Sequence, residues 1–152
     1  MYNIKRKQNR ANARERPLIM TVNSPEELPG YKKKSFLLPF GGGEIWFEHL
    51  DGIYGNEALV LKKLAGDRPT FCRPSYPSIV GFVVNETSVT DAIVDAIVDA
   101  LLRSGKYFLR VCFIGTDKRT ERALQYALYG GSFAVTFIND FEKAKECLIP
   151  CA

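Results

Sequence analysis

A chain of 152 residues, 46% of them apolar, has the interior for one packed domain without help from metal or disulfide; whole-chain disorder and a two-domain division are excluded. Its net charge of +4 is uneven: residues 1–34 hold nine Lys/Arg against three Glu, the remainder twelve basic against fourteen acidic, so the pI of 8.9 describes a basic arm and not a basic face on the domain. No run reaches the roughly 18 apolar residues that a membrane helix needs, and no apolar stretch follows the basic N-terminus as a secretory signal would.

Residues 1–16 (MYNIKRKQNRANARER) are polar and basic, and Pro17 stops any helix there. Residues 18–22 are a short apolar patch, a candidate docked strand. Residues 24–34 (SPEELPGYKKK) carry two prolines and a glycine and read as a linker. These features predict a flexible arm and linker over 1–33 and one α/β domain over 34–152. Two strands, 35–40 and 44–50, flank Gly41-Gly42-Gly43, which reads as a hairpin turn; a phosphate loop would lead into a helix with a Lys-Ser/Thr pair. Asn56 is the expected cap of a helix over 57–65, with Gly66 just past its end. Residues 68–77, with three prolines, read as an irregular crossing.

The C-terminal half alternates plainly. Residues 78–84 (SIVGFVV) form an unbroken apolar run, the pattern of a strand buried on both faces. A helix is predicted over 87–104, with Ser88 and Asp91 as a variant capping box and Gly105 at its end. A strand at 108–114, a helix capped by Asp117, a strand at 133–138 and a helix capped by Asp140 follow. Strands alternating with helices imply parallel pairing through crossovers, so the fold expected is α/β: a small, mixed, mostly parallel sheet of four or five strands with helices.

The helix over 87–104 places Asp91, Asp95 and Asp99 four residues apart, in one gently winding stripe. The stripe reads as a solvated face, with a docking face for a basic partner as the sharper alternative. The remaining surface is broad and apolar and needs more than one neighbour to cover it: the sheet, and a further helix or a second molecule. Cys72, Cys112, Cys147 and Cys151 include no C-x-x-C pair, and His49 is the one histidine, so no zinc set or other metal site is expected. Cys112 reads as a buried hydrophobe and His49 as a packing or surface residue; the cysteines read as reduced, in a cytoplasmic protein.

Three stretches resemble the STAS family (sulphate transporter and anti-sigma-factor antagonist), including its SpoIIAA-like members. Residues 44–64 (EIWFEHLDGIYGNEALVLKKL) are similar to the family's strand, Gly-containing turn and first helix. Residues 78–102 resemble its central strand and the helix carrying the regulatory loop. Residues 108–148 resemble its closing strand–helix–strand–helix. The resemblance implies a non-enzymatic regulatory module that binds another protein, without cofactor, switched by phosphorylation of a serine at the start of the central helix. That serine sits in an Asp-Ser-Ser/Thr-Gly motif, from which Asn85-Glu86-Thr87-Ser88-Val89-Thr90-Asp91 departs, having hydroxyls but no glycine. Ser88 is the nearest positional match, and Glu86, Thr87, Ser88, Thr90 and Asp91 form the candidate partner loop; helix capping explains the same hydroxyls.

Two other readings stand beside it. Gly115, Thr116, Lys118 and Arg119 follow a parallel strand and open a helix, where open α/β sheets bind ligands, making them a candidate anion or nucleotide site; capping by Asp117 is the simpler account. Lys5, Arg6, Lys7, Arg10, Arg14 and Arg16 would let the arm meet nucleic-acid phosphates, although no recognised nucleic-acid motif accompanies them.

Overall fold

The computed structural model describes residues 25–149. The proposed arm and the patch at 18–22 lie outside the described residues, as does Cys151.

Five strands form one sheet: β1 (Phe36–Phe40), β2 (Gly43–His49), β3 (Ile79–Val83), β4 (Arg110–Ile114) and β5 (Ala134–Ile138), neighbours in that order. β1 and β2 are the antiparallel hairpin, with Phe40 opposite Gly43; β2 to β5 run parallel. The turn residues Gly41 and Gly42 have φ of 60° and 86°, the left-handed backbone that glycine supplies without steric cost. The mixed, mostly parallel α/β sheet expected from the alternation is present, with five strands.

Each parallel crossover carries one helix: α2 (Glu57–Phe71), α3 (Asp91–Arg103) and α4 (Lys118–Ala127). A short α1 (Pro29–Lys32) precedes the sheet, and α5 (Phe141–Leu148) follows it. Side chains alternate along a strand, so the sheet feeds two cores. Trp46, Val80, Phe82, Val111 and Phe113 pack with Leu64 of α2, Ile93 and Ile97 of α3, and Leu124 of α4. On the opposite face Ile45, Phe47, Val83, Cys112 and Ile114 pack with Ala144 and Leu148 of α5. The sheet and the neighbouring helices thus cover Ile93, Val94, Ile97, Val98 and Leu101 of α3, while Leu102 stays exposed. Cys112 is fully buried, and burial, with Cys147 adding to it, pushes its thiol up to about 12, an inert packing residue. Gly81 lets the Phe47 ring cross β3: a Cβ there would lie 2.7 Å from that ring.

The paired positions Phe82, Phe113 and Phe137 stack across three strands, with ring centroids 5.3 and 5.5 Å apart. Among the described residues β1 and β5 are the outer strands. β1 carries Pro39, exposed and unable to donate to a ladder; β5 (AVTFI) has neither proline nor charge.

Three boundaries stand out as different from the sequence reading. α2 does not stop at Gly66 but continues through Pro69 to Phe71; the fully buried Phe71, packed edge-on to Phe82, anchors a last turn that propensity alone would break. Residues 68–71, read as irregular, are therefore helical. α3 starts at Asp91 and not at 87, because Thr90, rather than Ser88, accepts from the Ile93 amide at its N-terminus. From Pro25 onward the stretch read as linker lies against the domain: Gly30 backs onto the Gly52 carbonyl, and Lys33 pairs with Asp51 at 2.7 Å.

Candidate functional site

The four parallel strands end together at His49, Val83, Ile114 and Ile138, and the loops that leave them are tied side by side. Leu50 N–H donates to Val83 O (2.9 Å), Gly52 N–H to Asn85 O (2.8 Å) and Tyr54 N–H to Glu86 O (2.9 Å). Ser88 N–H donates back to Tyr54 O at 2.8 Å. The ladder between β2 and β3 thereby continues past the strands, through two non-glycine residues in left-handed backbone, Tyr54 (φ 55°) and Glu86 (φ 56°).

Within the candidate partner loop the hydroxyls have different tasks. Thr87 Oγ1 donates to Leu50 O (2.6 Å) and accepts from Ile53 N–H (3.1 Å), clamping the two loops together. Thr90 caps α3 and donates to Glu57. Ser88 is exposed, as are Glu86 and Asp91, which flank it. Thr87→Val keeps the shape and removes both bonds; leaving the Ile53 amide and Leu50 carbonyl without their partner is expected to cost about 1–3 kcal/mol in urea unfolding.

The second candidate segment meets the first. Arg119 Nη2 lies 3.7 Å from Asp91 Oδ1, and both side chains are exposed. Asp117 caps α4 by accepting from Thr120 N–H at 2.8 Å, and that backbone N–H holds its carboxyl below the usual range. Lys118 reaches Glu121 at 3.7 Å, while Thr116 is half-buried. Gly115 has φ 88°, and a Cβ on it would lie 2.3 Å from the Asn85 amide. The space beside this glycine is occupied by Asn85, and Lys118 and Arg119 each face a carboxylate instead of converging on one point. Asp95 of the acidic stripe is exposed, whereas Asp99 bridges Arg68 of α2 (2.7 Å) and Arg103 (3.3 Å).

A polar cluster that sequence reading missed lies at the end of β2. His49 is a packing residue, sandwiched between Phe36 and Phe141, yet Nδ1 also meets Asp51 Oδ1 at 2.8 Å. Burial works to raise the Asp51 carboxyl; bonds with His49 and Lys33 outweigh it and hold the group at about 2. On the other face of the strand Glu48 is fully buried, accepting from the Trp46 indole N–H at 3.0 Å on Oε1; Oε2 accepts no bond. Burial, then the Asp67 carboxyl facing it, push Glu48 up to about 9. Ser35 joins the two halves: its hydroxyl donates to Asp67 (2.9 Å) and accepts from His49 N–H (2.9 Å) and Lys63 Nζ (3.2 Å). The signal available in sequence was the i, i+2 spacing of Trp46 with Glu48 and of His49 with Asp51, which puts each pair on one side of an extended chain.

Among the described residues no three His, Cys, Asp or Glu side chains converge to hold a metal ion, and no helix is long and apolar enough to cross a membrane. The chain matches no family model, no curated protein and no solved structure.

Proposed function

We propose that this chain is a regulatory protein-binding module of the STAS type, which meets its partner at the loop end of the sheet and is switched at Ser88. The observation that carries the reading is the division of labour among the loop hydroxyls. Thr87 and Thr90 are committed to internal bonds, while Ser88 sits exposed on backbone pinned by Tyr54. A fixed loop offering one free hydroxyl suits recognition that responds to modification of that hydroxyl. The order of elements supports the same reading, since β2 through α5 follow the strand–helix sequence on which the family resemblance rests.

The exposed groups around Ser88 are acidic: Glu86, Asp91 and Asp95, relieved by Arg119. This surface suits a basic partner, and a phosphate on Ser88 would deepen the negative field beside like charges. Binding of an anion at Gly115–Arg119 is the weaker reading, because Asn85 fills the space beside the glycine where an anion would sit.

The test is affinity capture with the wild-type chain, Ser88→Ala and Ser88→Asp as baits, followed by direct binding to the protein captured. Wild type and Ser88→Ala are expected to retain the partner, and Ser88→Asp to bind it at least tenfold more weakly, about 1.4 kcal/mol. Equal binding by all three baits would remove the switch.

A further inference from the structure

An opening lies away from the Ser88 loop, between α2 and α3 towards their C-terminal ends. It is a groove of about 670 Å³, within the range of small-ligand sites. Two features of sequence shape it. Ala65 and Ala96 stand on the walls, where larger side chains would fill the gap between the helices. Pro69, inside α2, has no N–H to donate to the carbonyl of Ala65, which leaves that carbonyl without its helical partner. The base is apolar, with the buried Leu64 beneath and the half-buried Cys72 beside it.

The polar lining has one sign. Arg68, Arg73 and Arg103 line the groove, and no carboxylate does. Asp99 lies outside the lining and bridges Arg68 (2.7 Å) and Arg103 (3.3 Å), which restricts both side chains. Arg73 rests over the Tyr76 ring, 5.4 Å from its centroid, and is likewise oriented. Guanidinium groups match carboxylate and phosphate oxygens with paired N–H donors.

We propose that this groove binds a small amphipathic anion, with an apolar chain or ring against Leu64, Ala65 and Ala96 and a carboxylate or phosphate head among the three arginines. A cationic amphiphile meets like charge there, and an uncharged one makes no charge-assisted contact with the guanidinium groups. The site is independent of the Ser88 surface, since it sits at the opposite end of α3.

Cys72 reports on occupancy. It is one of the residues lining the groove, while Cys147 is exposed on α5, on the other face of the sheet. The full chain is alkylated with N-ethylmaleimide, and the rate at each cysteine is read from peptide masses. The probes are dodecanoate, dodecyl phosphate and dodecyltrimethylammonium, each below its micelle concentration. At about ten times its Kd an anionic probe is expected to slow Cys72 roughly tenfold and leave Cys147 unchanged. The better of the two anionic probes identifies the head group. Arg103→Glu, an exposed position, should abolish the protection, and Ala96→Leu should do so by filling the groove; if Ala96→Leu fails to fold, Arg103→Glu decides. Equal slowing of both cysteines, equal protection by the cationic probe, protection that survives Arg103→Glu, or no protection by either anion would each overturn the proposal.

Discussion

Glu48→Gln is expected to lose less stability than the wild-type chain as pH rises, so that the two thermal-unfolding curves diverge between about pH 4.5 and 9 and run parallel beyond it. The Glu48 carboxyl ordinarily titrates near 4.5 and in the folded chain near 9. Burial is the main cause and the facing Asp67 the next; the Trp46 N–H and the charge of Lys63 pull the other way and do not prevail. Between those two values the folded chain keeps a proton that the unfolded chain has released. Stability contributed by this group is therefore complete below the unfolded value and is lost as pH climbs through the folded one, at up to about 1.4 kcal/mol per pH unit. Glutamine has no proton to lose. Its carbonyl still accepts from Trp46, and its NH₂ faces Asp67 as a donor. Glu48→Ala differs again, because it leaves the buried indole N–H without an acceptor and should be less stable than Glu48→Gln at every pH. Melting temperatures of the three proteins at about pH 5.5, 7 and 8.5 check this. Parallel wild-type and Glu48→Gln curves would mean that the buried carboxyl is ionised.

Phe113→Ala is expected to cost about 3–5 kcal/mol in equilibrium urea unfolding, the range for removing a fully buried aromatic ring. The ring is the middle of the cross-strand stack, with Phe82 on one side and Phe137 on the other. Its loss opens a void that neither neighbour can fill without leaving its own strand position. Phe137→Ala is the internal comparison. That ring lies at the edge of the sheet and is only partly buried, so water and small shifts can take up its space, and its cost should be clearly smaller. Unchanged m values would show that both losses fall on the native packing.

The sheet was readable in sequence because burial on both faces leaves a direct mark. SIVGFVV and FLRVCFI carry few polar residues, and the structure places strands inside those runs. Helix ends were less readable where tertiary contacts overrule local preference. Gly66 and Pro69 both signal a stop, yet the chain stays helical to bury Phe71. That misreading hid part of the site as well, since Asp67 falls in the extra turns and its neighbour Glu48 is nineteen positions earlier. Ser88 was identifiable as a loop hydroxyl, whereas the clamp made by Thr87 was not. Its two bonds reach Leu50 and Ile53, 37 and 34 positions away, and no local pattern records them.

The unlike rims of the sheet limit how these molecules would aggregate. Among the described residues, two copies meeting β5 to β5 would satisfy each other's outward backbone groups and leave β1 as the outer strand of each. There the ring nitrogen of Pro39 interrupts any further pairing. Contact of this kind would exhaust itself at a pair, so an endless ribbon could not grow by strand addition alone.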